Sequence, residues 1–544
     1  MQRRTPPCRV TNSIAAPDRR ENRHPLAGAS RILWLILLGF AVGPVSVRAA
    51  SGAGVPTDQP VRYEAFGAIG DGVADDLPAI VAAHTFANAH GLPVKSRPGA
   101  TYHLGRRALT AIIATDTDWS TSRFIIDDTD VENHRESLFA VRSLLKPVTL
   151  AIPSLTRDQQ RLDLRPSADC WVRVESDQQR RFIRRGLNQN NGAPQSDCFI
   201  LRRDGTIEGA IDWDYATITR IEALPLDQRP LTLSGGVFTT TANRMVQEKG
   251  YNYWARNIVI SRSNTTVVGL THHIIGETEV GHPYSGFLSV RRCANVTLRD
   301  CFVTGHRTYS TIGAADKPVS MGSYDLNANE VVNFTLSGVR MDNICDGKLW
   351  GVIGTNFCKN IILENCTLSR MDSHQGVSGV YTVRGSTLGH MGLNAIGRGM
   401  LTVENSTIYG RSFISLRSDY GSTWEGTVVI RDSRWIPACG EAIQPYVINV
   451  NNDGQHDFGY PCFMPREITI DGLAIDDRNH PDKYQGPYLF NDPDGNAADT
   501  TARPFPYHLT ERVTIRRLTT ASGKGLRTSP DPGLNAHVRV VESN

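Results

Sequence analysis

The sequence has no excess of either charge: 58 Lys and Arg stand against 55 Asp and Glu in 544 residues. That balance removes the electrostatic case for nucleic acid or an anionic membrane as partner. No Cys-x-x-Cys pair occurs, so a structural zinc site has no anchor. No dense Asp/Glu cluster suggests a Ca²⁺ site, and His272, His273 and His282 are too irregularly spaced to favour a transition metal. No metal or cofactor is therefore expected. Long apolar runs are also missing, apart from Ile32 to Val42, which is short for a bilayer span. It follows an Arg-rich segment and precedes small residues at Ser46 to Ala50, so residues 1–50 are read as an export signal peptide, with a retained anchor as the alternative. The expected location is periplasmic or extracellular. Removing that segment takes Cys8 with it and leaves an odd number of the ten cysteines. Cys345 with Cys358 and Cys439 with Cys462 are candidate disulfides, while several of the others read as buried apolar residues.

A chain this long exceeds what one ordinary core supports, so it is either several domains or one repetitive domain that grows along an axis. From residue 257 onward, short β-rich runs can be laid over one another. They begin at Asn264, Asn295, Asn333, Asn360, Tyr381, Leu401 and Val428, roughly 20 to 40 residues apart. One aligned column is Val267, Leu298, Leu336, Leu363, Val383, Val403 and Ile430, an apolar stack that should be buried by the coils above and below. The next column alternates charge from Glu364 through Arg384 and Glu404 to Arg431, a solvated ladder. Two residues past the apolar column stand Gly269, Asp300, Gly338, Asn365, Gly385, Asn405 and Asp432, types that tolerate a left-handed corner. A second apolar column follows: Val303, Met341, Leu368, Leu388, Ile408 and Trp435. Columns that superpose in one direction without hairpin turns favour stacked parallel coils over an antiparallel sandwich. The five Asn-x-Ser/Thr matches fall on strand starts and corners and read as turn chemistry rather than glycosylation. Glu467-Ile-Thr-Ile and Arg512-Val-Thr-Ile suggest at least two further coils.

Near the start of the mature chain, Tyr63-Glu-Ala-Phe leads to Gly70-Asp-Gly-Val-Ala-Asp75-Asp76, then an Ala-rich helical stretch to about Ala89 and Arg97-Pro-Gly-Ala-Thr-Tyr102. This order of elements resembles the opening segment of the pectin-lyase-like superfamily. That resemblance implies an all-β right-handed parallel β-helix with an N-terminal capping helix and long loops, in the manner of pectate lyases and polygalacturonases. Asp71, Asp75 and Asp76 are read as turn and helix-capping groups rather than catalytic acids. The expected organisation is a cap and first coil over 51–105, irregular β-rich coils or an inserted subdomain over 106–256, and coils with C-terminal loops over 257–544.

A β-helix aligns loops at the ends of successive strands, and residues there can line a groove for a linear polymer. Titratable groups crowd those positions: His273, His306 and Arg307, then Asp342, Asp346 and Lys348, then Arg370, Asp372 and His374, then His390, Tyr409, Arg411, Arg417 and Asp419. Glycosidic hydrolysis needs two carboxyl groups, and Asp342 with Asp372 on adjacent coils form the leading pair, with His374 tuning them. His306, Arg307, Asp346, Lys348, Arg370, His390, Tyr409, Arg411, Arg417 and Asp419 are the expected substrate-binding residues. Elimination from a uronate is the competing chemistry, with His374, Arg370 and Lys348 as its candidates. A glycan-binding adhesin without catalysis is the third reading, because the fold hosts both. The expected partner is a polysaccharide, acidic if the arginines are any guide.

Overall fold

The computed structural model describes residues 59–183, 190–242, 250, 253–277, 284–305, 308–313, 316–322, 324–350, 352–418, 421, 423–450, 459–491 and 507–542. The expected signal at 1–50 lies outside them, as do His306, Arg307 and Asp419. The chain forms a right-handed parallel β-helix, with 26 strands in one continuous sheet. Leu233, Val267, Leu298, Leu336, Leu363, Val383, Val403, Ile430, Ile470 and Ile515 pair in sequence, each on the coil next to the last. All ten are buried. The second column, Val303, Met341, Leu368, Leu388, Ile408 and Trp435, is buried as well. Its next position toward the N-terminus is taken by His272, which pairs with Phe238 and stacks on Phe287. A histidine can occupy an interior site there because Asp325 lies 2.8 Å from its Nδ1 and Thr240 2.9 Å from its Nε2.

Corners fix the register. Gly269, Asp300, Gly338, Asn365, Gly385, Asn405 and Asp432 all have positive φ, a conformation that Gly, Asn and Asp reach at least cost. A second left-handed column runs through Asn264, Asn295, Asn333 and Asn360. Each amide donates to the oxygen of the previous one at 2.8, 2.8 and 2.9 Å. These asparagines, with Asn365 and Asn405, include all five Asn-x-Ser/Thr sites. Arg384 pairs with Glu404 and, at 3.0 Å, with Glu364, forming the outer charge ladder.

At the N-terminal end, helix Leu77–His90 covers the first coil. Asp76, at its N-cap, turns back to accept from the Ile69 and Gly70 N–H groups, while Asp75 accepts from Leu77 and Gly105. Strands Ala111–Ile113, Thr117–Asp127 and Phe139–Val141 belong to the coil, and so does Leu231–Thr241. Between them the chain leaves the coil. Cys170–Arg181, Ala193–Leu201, Ile207–Glu208 and Arg220–Pro225 make a separate antiparallel sheet. It has its own small core around Val172, Phe199 and Leu201, and Trp171, Cys198, Ile200 and Leu226 seat it on Ala294 and Val332 of the coil.

The cysteines differ from expectation. The bond joins Cys345 to Cys439, not Cys345 to Cys358 or Cys439 to Cys462. Cys345 and Cys439 lie in two loops that meet beyond the strand ends, whereas Cys358 and Cys462 are buried among apolar residues. The other seven described cysteines are buried. Among the described residues no helix is long and apolar enough to cross a membrane.

Candidate functional site

The strand ends from residue 342 onward carry two different arrangements of charge. At the corner where strand Thr367–Asp372 ends, Asp372 is completely buried. Its Oδ2 lies 2.8 Å from Arg370 and 2.6 Å from Arg417. Tyr324 accepts from Arg370 at 3.2 Å and donates to Asp372 at 3.3 Å. Asn394 lies 2.9 and 2.7 Å from Nε and Nη2 of Arg370 in the amide orientation that accepts from both. The Arg370 guanidinium also lies over the Tyr324 and Trp350 rings. Burial by itself would push the Asp372 carboxyl up. The charges of Arg370, Arg417 and His374 outweigh it and hold the group below the usual carboxylate range. A carboxyl so held does not donate a proton.

The other expected residues scatter. Asp342, Asp346 and Lys348 are exposed on a loop, where Asp346 accepts from the Lys348 N–H. Among the described residues no hydrogen bond or ion pair joins Asp342 to Asp372. His374 is buried, with Nδ1 3.1 Å from Asn356. His390 is half-buried against the Ile344 carbonyl, and burial holds its pKa down. Tyr409 is half-buried, and exposed Arg411 lies 4.0 Å from Glu441. The structure thus brings Arg370, Asp372 and Arg417 together and leaves Asp342 apart.

A second arrangement was not anticipated. The residue before each left-handed position faces outward: Ala294, Val332, Lys359 and Ser378 are aligned on successive coils, followed by Arg398 and Glu425. Under the antiparallel sheet, Ala294 and Val332 are apolar; from Lys359, buried against Asp197 of that sheet, the column turns polar, and a cleft lies between sheet and coil. Phe182, Trp213, Phe357, Tyr460 and Phe463 supply its aromatic walls; Arg157, Asp197, Asp212, Gln375, Arg398 and Glu425 supply polar groups. Its free space is about 120 Å³, whereas one water needs roughly 10–15 Å³ of such space, so it has room for more than ordered solvent.

The two carboxylates Asp197 and Asp212 share one ammonium. Lys359 Nζ lies 2.5 Å from Asp197 and 3.3 Å from Asp212, and also donates to the Ala210 carbonyl. Asp212 keeps 18 % of its side chain exposed and meets Arg398 at 3.4 Å. Burial pushes the Asp197 carboxyl up to about 7, with the like charge of Asp212 adding to this and Lys359 opposing it. Lys359 is itself fully buried. Its two carboxylate partners outweigh that burial and shift its pKa upward, so of the pair the ammonium keeps its charge more firmly. The loop carrying Asp212 and Trp213 is pinned. The Asp212 N–H donates to Asp197 at 2.6 Å, and the Asp214 side chain accepts from the Arg157 N–H at 2.8 Å.

No protein-family model matches the chain. It is 30% identical over 121 residues to a capsule KL64-specific depolymerase of Klebsiella phage P510, a match that covers 20% of this chain and 12% of that protein. Among solved structures, the tailspike gp61 of Pseudomonas phage phi297 aligns with a TM-score of 0.52 and 12% identity, over 88% of this chain and 83% of that one. The tailspike gp49 of Pseudomonas phage LKA1 aligns with a TM-score of 0.44 and 13% identity, over 88% and 84%. The likeness to gp61 is one of fold.

Proposed function

We propose that this chain cleaves a polysaccharide by hydrolysis, and that the reaction takes place in the cleft between the antiparallel sheet and the coil. One observation carries the reading: two carboxyl groups at the floor of an aromatic-walled cleft share the Lys359 ammonium, and burial raises the pKa of one of them. Hydrolysis needs a carboxyl that delivers a proton to the leaving oxygen and another that attacks or activates water. Asp197, raised toward neutrality, is the proton donor. Asp212, which keeps a solvent face, is the second group. Lys359 touches both, so it stabilises whichever carboxylate carries the charge as the proton moves. Trp213, half-buried at the cleft wall, offers an apolar face to a sugar ring. The partial match to a capsule depolymerase supports a polysaccharide as substrate.

Elimination is the second reading. It draws on Tyr324, whose hydroxyl lies beside Arg370 and Asp372. Incubation with a panel of bacterial capsular and O-antigen polysaccharides separates the two. Hydrolysis releases reducing ends alone, and elimination adds absorbance near ~235 nm from the new C=C bond conjugated to the uronate carboxyl. Asp212→Asn should lower turnover about 10²-fold or more while Asp197 still holds Lys359. Unchanged turnover would remove the cleft from the reaction.

A further inference from the structure

The proposed cleft makes a statement about charge. Among the described residues, each cation at its wall or floor is already matched. Arg157 lies 2.5 Å from Glu425, Arg398 lies 2.8 Å from Asp158 and 3.4 Å from Asp212, and Lys359 sits between Asp197 and Asp212. Arg181, close by, lies over the Trp213 ring and donates to the oxygens of Gln195 and Gly459, outside the cleft lining. An incoming carboxylate would have to displace a protein carboxylate from its partner, or be buried beside Asp212 and Glu425 without a partner of its own. Both routes oppose binding.

The coil surface next to the cleft points the same way. Val380, Met400 and Thr427 align on successive coils two residues beyond the Ser378, Arg398 and Glu425 positions. Val380 is 42% and Met400 51% exposed, which makes an uncharged ledge leading out of the cleft. Apolar C–H faces of a sugar ring lie well on such a surface, and a carboxylate gains nothing there.

We infer that the cleft takes an uncharged pyranose and that the Val380–Met400 ledge holds the adjoining residue of the same chain. The inference rests on the cleft being the substrate site but not on hydrolysis there. It is tested by affinity electrophoresis of the full chain in gels containing neutral polymers (dextran, mannan, galactan), uronate polymers (alginate, polygalacturonate) and the capsular panel. Each uronate-containing polymer is run both native and after carboxyl reduction. Retardation should occur with at least one neutral or carboxyl-reduced polymer, and no uronate polymer should bind more tightly in its native form than after reduction. Met400→Lys should weaken that retardation several-fold, and Met400→Leu should preserve it. Retardation that needs the native carboxylates, no retardation by any neutral or reduced polymer, or indifference to Met400→Lys would each overturn the inference. Binding of a neutral polymer without new reducing ends would refute hydrolysis and leave the neutral preference standing.

Discussion

The corner around Asp372 and the cleft around Asp212 both join carboxylates to cations, but in different proportions and at different depths. At the corner, two guanidiniums meet one carboxylate and all three are buried. In the cleft, two carboxylates share the Lys359 ammonium, and Asp212, which also meets Arg398, keeps a face to solvent. A carboxylate outnumbered by buried cations stays ionised and ties strands together. Where two carboxylates crowd one buried ammonium, burial and the like charge raise one of them, and a pair in different states is what acid–base chemistry requires. Crowding of charge therefore identifies neither arrangement as reactive; the ratio of signs and access to solvent separate them.

That contrast can be broken by mutation. Asp372→Asn leaves two buried guanidiniums without their countercharge and should cost about 3–5 kcal/mol in urea unfolding, with turnover per folded molecule unchanged. A stable variant that has lost turnover would make the corner the reacting site. Asp212→Asn should show the reverse, losing turnover with a urea midpoint near that of the parent. Asn333→Ala removes one rung of the amide ladder at a positive φ. It should cost about 2 kcal/mol without affecting turnover, a control for damage to the coil alone.

The pH dependence sharpens the comparison. Asp197 has a folded pKa of about 7 against an ordinary value of 3.8. A raised carboxyl favours the folded state most when protonated, so its contribution is present below the unfolded value and is lost as pH rises through about 7. The urea midpoint should therefore fall between pH 5 and pH 8, and Asp197→Asn should flatten that slope. Asp372, shifted downward, contributes stability that is present above its unfolded value and lost only as acid protonates it. The smallest effect is expected at the outer ladder, where Glu404→Gln should leave the midpoint within error, because exposed pairs contribute little.

The coil was legible because its constraint is local and repeated. Leu336, Leu363 and Val383 must be apolar because each is covered by the next, and Asn365, Gly385 and Asn405 must tolerate a left-handed corner. Both needs recur with every turn and survive alignment by eye. The cleft was harder to see. Lys359, Ser378, Arg398 and Glu425 stand before left-handed residues in the same column as Ala294 and Val332, and that change from apolar to polar marks where the column meets the carboxylates of the sheet and its loops. Asp197 and Asp212 carry no such periodic mark. They lie on the antiparallel sheet and its loop, and nothing in their own surroundings names Lys359 as the partner.

By itself, then, the sequence determined the stacked parallel coil, its register, its corners and which side chains face inward, because these follow from alternation and backbone preference within one turn. Only the tertiary structure decided that Cys345 meets Cys439, that Asp372 is sealed between Arg370 and Arg417, and that Asp197 and Asp212 share Lys359. Arg370 aside, those contacts join segments tens to more than a hundred residues apart across loops and a sheet that do not repeat, so packing in space, not pattern along the chain, brings them together.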